Sequence, residues 1–197
     1  MREFSYFPIN YPLDKIKRRL KIPLPSNLLE YNDLIERFYS LIEPMARFEI
    51  TELSVDGNNL LFNDGYSIQS KSLSSHLKGC NRATLLGLTI GPFIEEEIEK
   101  FTKKKKSLEP LILDAVGSEC AEEAAIYISG IINEEIKQAH CLPTKRFSPG
   151  YGDLSLDVQR WFFQNLKLEE IGMRLNESML MIPQKSITAF IGWRKNK

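Results

Sequence analysis

The sequence predicts an α+β fold, and three observations carry the prediction. Residues 83–90, Ala-Thr-Leu-Leu-Gly-Leu-Thr-Ile, are apolar at nearly every position, and Ser186 to Trp193 is mostly apolar and β-prone. Runs this short and unbroken fit strands buried on both faces. Residues 107–139 carry no proline after Pro110 and read as one long helix, about 45 Å at 1.5 Å per residue. Strands and long helices follow one another without βαβ regularity, which argues α+β. The length of 197 residues suits one domain, 1–197, with residues 1–45 as an N-terminal helical segment.

The elements follow in order. Residues 1–25 read as irregular, punctuated by Pro8, Pro12, Pro23 and Pro25. The basic stretch Lys15-Ile-Lys-Arg-Arg19 between them is either a solvated helix face or a phosphate contact. Ser26 can N-cap a helix to about Leu41, with Leu28, Leu34, Phe38, Leu41 and Ile42 near helical spacing. Residues 46–70 alternate as strands. Phe48 and Ile50 hold one phase and Leu53 and Val55 the other, a slip that predicts a bulge. Asp56-Gly57 and Asp64-Gly65 are turn signals, so this stretch reads as an antiparallel meander. Ser70 to Leu77 predicts a short helix.

Gly91-Pro92 ends the strand at 83–90. Phe93, Ile94, Ile98 and Phe101 then give a helical stripe, supported by Glu96/Lys100 and Glu99/Lys103 at i,i+4. The run Lys103 to Lys106 suits the C-terminal end of that helix. In the long helix, Asp114, Ser118 and Glu122 share one face; the stripe is either solvated or functional. Small residues in its middle let a neighbouring backbone or a ligand approach closely. Leu154, Val158, Phe162 and Leu166, with Trp161, predict another helix. Gly172 stops a short helical extension, and Pro183 breaks the mixed stretch that follows.

Composition narrows the function classes. Lys plus Arg and Asp plus Glu are 26 each, so the formal net charge is zero. No basic excess points to nucleic acid, no run approaches a membrane span, and no signal peptide is visible after Met1. Three unspaced cysteines, Cys80, Cys120 and Cys141, are no disulfide framework. They suit a reducing, cytoplasmic setting. Two distant histidines and no paired cysteine motif predict no metal site.

The most distinctive segment is Arg146-Phe-Ser-Pro-Gly-Tyr-Gly-Asp153. Pro149-Gly150 suits a type II turn, with glycine at the position needing positive φ. Such a turn exposes main-chain groups, Arg146 offers a fork for a carboxylate, and Tyr151 a ring face and a hydroxyl. The loop is therefore either a ligand contact or a structural turn whose Arg146 pairs with a local acid, Asp153 or Asp157.

With these residues in view, the chain resembles the activation (reactivation) domain of cobalamin-dependent methionine synthase, in its stand-alone form. The resemblance spans roughly residues 45–193, and its segments stand in the family's order. Residues 83–92 resemble the family's strand ending in Thr-Ile-Gly-Pro. Asp114-Ala-Val-Gly-Ser-Glu-Cys-Ala-Glu-Glu-Ala124 resembles its central helix. Residues 146–153 match its Arg-x-x-x-Gly-Tyr signature, and 175–186 resemble its late Thr-Glu-Ser…Pro…Ser segment.

The resemblance implies a C-shaped domain around a twisted antiparallel sheet, with S-adenosylmethionine in a shallow groove. It implies a cobalamin-binding methionine synthase as partner, one lacking its own activation domain and carrying the cobalamin. A flavodoxin-like reductant supplies one electron to the oxidised cofactor, and S-adenosylmethionine methylates the reduced cobalt. By the same resemblance Arg146 clamps the ligand carboxylate. Ser148, Gly150 and Tyr151 line the adenosine and methionine parts, and Glu122, or Glu123 if the alignment slips, meets the amino group. A further N-terminal acid and C-terminal aromatics of that family find no match here, so a partner is expected to complete the site. No catalytic residue is assigned. Two alternatives stay open: a corrinoid-protein docking module that binds no S-adenosylmethionine, and a stand-alone S-adenosylmethionine-dependent methyltransferase. Against the latter, the Gly-rich strand–turn–helix of doubly wound folds is missing.

Overall fold

The structure, a computed structural model, describes residues 1–20 and 28–195, with the side chains of residues 28–31 excepted. Strands β1 (Arg2–Ser5), β2 (Met45–Asp56), β3 (Asn59–Phe62), β4 (Ser67–Gln69), β5 (Cys80–Thr89), β6 (Cys141–Pro143) and β9 (Ser186–Lys195) form one sheet. Its order is β4-β3-β2-β5-β9-β6, with β1 also on β2, and every pairing is antiparallel. A separate two-stranded ribbon joins β7 (Arg174–Leu175) to β8 (Met181–Ile182). Helices α1 (Leu13–Leu20), α2 (Leu28–Tyr39), α4 (Phe93–Lys103) and α5 (Leu108–Gln138) supply the core on one face. Helices α3 (Lys71–His76) and α6 (Val158–Leu166), with a 3-10 turn at Leu168–Ile171, cover the other. This is the α+β, antiparallel architecture the sequence predicts.

The central strands follow from composition. In β5, Ala83 to Thr89 are all buried, because both faces of the sheet are covered. Gly87 is required there: a Cβ would lie 2.5 Å from Leu168 Cδ2. In β9, Ser186 to Trp193 are buried apart from the half-buried Ile187. The meander is regular, with Asp56 opposite Asn59 and Gly57 at φ +59 in the turn between them.

Four expectations change. Residues 1–25 are not irregular throughout, nor is the N-terminal segment wholly helical: β1 pairs with β2, and α1 occupies 13–20. An eight-residue helix is marginal by itself. Here α1 is held by the buried Ile16 and Leu20 and by two ion pairs to α5, Lys15–Glu123 and Arg19–Glu119, the latter at 2.9 Å. Half of the basic stretch is thus a docking face on α5. Second, β2 has no bulge where the phase slips; its register is regular through Glu52 against β5 and from Leu53 against β3. Phe48 and Ile50 face the α5 side while Leu53 and Val55 face the α6 side, so the slip marks a change of covered face along one straight strand. A register shift occurs instead between Cys80 and Arg82 of β5. Third, α2 ends at Tyr39, and Leu41 beyond it is exposed; the N-cap expected at Ser26 lies outside the described residues. Fourth, α6 starts at Val158, with Leu154 buried in the preceding loop.

The three cysteines are free and buried. Burial, then the Glu123 and Glu119 carboxylates, push the Cys120 thiol up to about 12. Among the described residues, no helix is long and apolar enough to cross a membrane, and no cluster of His, Cys, Asp and Glu is arranged to hold a metal ion.

Candidate functional site

The loop after β6 runs beside the outer edge of β9. Phe147 bridges Phe190 through two main-chain bonds of 2.8 and 3.0 Å, and the Thr144 N–H donates to the Gly192 carbonyl at 3.0 Å. This tether fixes Phe147, with Arg146 and Ser148 on either side of it. Beyond it the chain turns tightly: the Tyr151 N–H donates to the Ser148 carbonyl at 3.2 Å, with Gly150 at φ +90. That is the geometry a type II turn demands at its third residue.

Between this loop, the edge of β9 and the exposed face of α5 lies a cleft of about 580 Å³. This falls within the ~300–1,000 Å³ typical of small-ligand sites. Arg146, Ser148, Tyr151 and Glu122 all line it. Gly150 does not; it shapes the turn from behind, where a Cβ would meet Leu156 Cδ2 at 3.1 Å. Tyr151 stands 61% exposed at the rim, edge-on to Phe147 with ring centroids 6.1 Å apart.

Arg146 Nη2 donates to Glu122 Oε2 at 2.7 Å, so the cationic and anionic candidates face each other in one cleft. Neither Asp153 nor Asp157 takes Arg146 as the structural-turn reading supposed. Asp153 accepts from Ser70 Oγ (2.7 Å) and from the main-chain N–H groups of Lys71 (2.8 Å) and Ser72 (3.0 Å) at the start of α3. The Ser70 hydroxyl, then the Ser72 and Lys71 amides, hold its carboxyl well below the usual range. Asp157 accepts from Ser155 Oγ at 2.9 Å. Glu123, the other candidate acid, points away: it is buried and paired with Lys15. The polar stripe on α5 is otherwise filled by Lys185, whose Nζ donates to Asp114 at 2.6 Å and Ser118 at 3.0 Å.

The structure adds residues that sequence reasoning missed. Ser129 and Asn133 extend the α5 wall, and Ser129 Oγ and Asn133 Oδ1 are buried without a hydrogen-bond partner among the described residues. Gln159 and Thr188 form the opposite wall, Thr188 Oγ1 donating to Gln159 Oε1 at 2.7 Å. The signal for Thr188 lay in plain view, a threonine inside a mostly apolar, buried run; Gln159 stands beside the exposed Arg160 in an amphipathic helix and carries no such signal.

No family model matches the chain, and no curated protein matches it in sequence. Among solved structures it is similar to one described as the crystal structure of the MetH reactivation domain bound to AdoHcy. The TM-score is 0.71 at 13% identity, over 100% of this chain and 80% of that one. The likeness is one of fold, and it extends the resemblance from residues 45–193 to the whole chain. The protein has the fold of the MetH reactivation domain.

Proposed function

We propose that the cleft binds S-adenosylmethionine and that the protein is an accessory to the reductive remethylation of a cobalamin-dependent methionine synthase. One observation carries the reading. Arg146 and Glu122, the two groups assigned to the ligand's carboxylate and ammonium, meet across one cleft. An amino-acid zwitterion fits such a pair by exchange: its carboxylate replaces Glu122 on Arg146, and its ammonium takes the freed Glu122 carboxylate. The exchange is cheap, because the side chains are 26% and 50% exposed and exposed ion pairs contribute only about 0–1 kcal/mol. The fold likeness to a domain described with bound AdoHcy supports the same ligand class.

In this reading the chain's residues bind, orient and exclude water. Arg146 and Glu122 fix the aminoacyl end, the turn at Ser148 supports the ligand's flank, and Tyr151 closes over it from the rim. Holding the sulfonium methyl toward an incoming partner is proximity catalysis. The partner's cobalamin supplies the nucleophile, and a flavodoxin-like protein the electron. Ligand and partner then bind with positive coupling, and linkage requires each to tighten the other by the same factor.

Calorimetry with S-adenosylmethionine tests the site. Arg146→Lys keeps the charge but loses the fork, and the expected loss is roughly 1–3 kcal/mol of binding. Equal affinity for both proteins overturns the assignment of Arg146. The accessory role is tested by adding cobalamin-loaded methionine synthase without an activation domain, with a flavodoxin and its reductase. Methylcobalamin returning only with every component present is the expected result. Methyl transfer by this chain alone to a small acceptor would show a free-standing methyltransferase instead.

A further inference from the structure

No residue of α3 lines the cleft, yet this helix is tied to the Arg146 loop at both of its ends. At its start, Asp153 accepts from Ser70 Oγ and from the amides of Lys71 and Ser72. The approach there is close: a Cβ on Gly152, at φ +58, would lie 2.3 Å from Ser72 Oγ. At its end, His76 Nε2 lies 2.7 Å from the Lys145 carbonyl oxygen and 3.1 Å from Thr144 Oγ1. Arg146, Ser148 and Tyr151 stand between the two ties.

The His76 contact fixes a tautomer. A carbonyl oxygen only accepts, so Nε2 carries the hydrogen and donates it. The Thr144 hydroxyl is already engaged: it accepts from the Gly192 N–H at 2.8 Å and donates to the same Lys145 carbonyl at 3.0 Å. The Lys145 oxygen thus takes two donors, one for each lone pair. That oxygen belongs to the planar peptide unit that also carries the Arg146 N–H. Its two donors therefore hold the peptide plane from which the Arg146 side chain departs. The His76 ring also packs on Phe147, with centroids 5.0 Å apart, and Phe147 meets Tyr151 edge-on at 6.1 Å. One histidine touches the residues on both sides of Arg146.

We infer that His76 is a positioning residue for Arg146. It sets the direction of the guanidinium fork without touching the ligand. A bidentate contact depends on that direction: a fork turned away keeps its charge and loses one of two parallel bonds. The bridge at Phe147 does not set it alone, because that bridge fixes the next residue along. Among the described residues, the Lys145 carbonyl has donors only from Thr144 and His76. The role assigned to His76 rests on the S-adenosylmethionine reading for its ligand.

The test uses the whole chain and two substitutions. His76→Phe keeps a ring against Phe147 and removes the donor; His76→Gln supplies an amide N–H in place of the ring N–H. Calorimetry with S-adenosylhomocysteine should show about fivefold weaker binding for His76→Phe, the size of one hydrogen bond. His76→Gln should bind as the wild type does. In an Arg146→Lys background, which has no fork, His76→Phe should change affinity less than about twofold, because residues acting through one contact are not additive. Unchanged affinity in His76→Phe, or the full loss persisting beside Arg146→Lys, overturns the positioning role while the ligand reading stands. A second readout needs no ligand. At pH ~9, where an imidazole is neutral, nitrogen-15 shifts of the wild-type ring should show hydrogen on Nε2. The Arg146 amide should shift in His76→Phe and return in His76→Gln. A neutral ring with hydrogen on Nδ1, or an Arg146 amide that stays still, overturns the proposal by itself. If S-adenosylhomocysteine does not bind the wild type, the ligand reading falls, and these shifts alone decide whether His76 holds Arg146. The tautomer is read on the wild-type chain, so the proposal is open to refutation even if His76→Phe does not fold.

Discussion

Glu122 and Glu123 are consecutive residues of α5, yet one opens on the cleft and the other is closed into the core. Successive residues on a helix are turned by about 100°, so one side chain faces the loop at Arg146 and the next faces α1. The side chain of Glu122 is 50% exposed and that of Glu123 only 6%. Both are salt-bridged, but the bridges differ in what they do. Lys15–Glu123 fastens an N-terminal helix that is too short to stand alone, and Asn10 Nδ2 adds a contact at 3.4 Å. Arg146–Glu122 is open to solvent, and in the proposed function it is the contact that a ligand takes apart. The same residue type in adjacent positions is structural in one case and available in the other, and burial makes the difference.

The comparison is broken most forcefully at Lys15. Lys15→Met leaves the Glu123 carboxylate buried without its cation, a change that costs roughly 3 kcal/mol. At about 2–4 °C per kcal/mol for a domain of this size, thermal denaturation should show a drop of ~6–12 °C. Replacing both partners, Lys15→Met with Glu123→Leu, should recover most of that loss, because a buried pair exchanged for apolar groups is often neutral. A double variant no more stable than Lys15→Met would show that the helix α1 contact, and not the charge, carries the stability.

At Glu122 the expected pattern reverses. Glu122→Gln should change unfolding free energy by less than about 0.5 kcal/mol, as for an exposed pair. Its affinity for S-adenosylmethionine should fall about tenfold, near the ~1.5 kcal/mol of a charged hydrogen bond. Calorimetry and chemical denaturation on one sample separate the two quantities. A Glu122→Gln variant that loses stability and keeps affinity would exchange the roles assigned to the two glutamates.

The smallest effect concerns Asp153, the third acid near the loop. Its carboxyl is held low by Ser70 and the amides of Ser72 and Lys71. A depressed folded-state value means that its stabilisation is fully present above the ordinary aspartate range, near pH ~4. It is lost as pH falls through the lower folded-state value. Asp153→Asn should therefore flatten the loss of melting temperature below pH ~4 and leave the slope above pH ~5 unchanged. An identical acid limb in both proteins would show that this carboxylate is not stabilising α3.

Much of this architecture is legible in the residues themselves. The unbroken apolar runs at 83–90 and 186–193 mark strands covered on two faces, because nothing polar has to find water there. The glycines after Asp56 and Asp64, the proline-free stretch after Pro110, and Pro149-Gly150 mark a meander, a long helix and a turn through local sterics alone. The candidate acids and Arg146 are legible as types and as spacings. Helix α1 was not, since part of what holds it is Glu119 and Glu123, a hundred residues or more further on. The phase slip in β2 marks no bulge for a similar reason: alternation records which face is covered, and the covered face changes along the strand.

What the sequence by itself determined is therefore local: element type, turn chemistry, and the presence of an arginine and two adjacent acids able to meet a zwitterion. Which acid meets Arg146 was decided only in the folded chain, where the bridge between Phe147 and Phe190 carries the loop to α5 at the level of Glu122. The tie between His76 and the Lys145 carbonyl was decided there too. It exists because the chain returns to the end of α3 at a point 69 residues further on. A contact of that span has no signature in the histidine's own neighbours, since it is a property of the segment that comes to lie beside it.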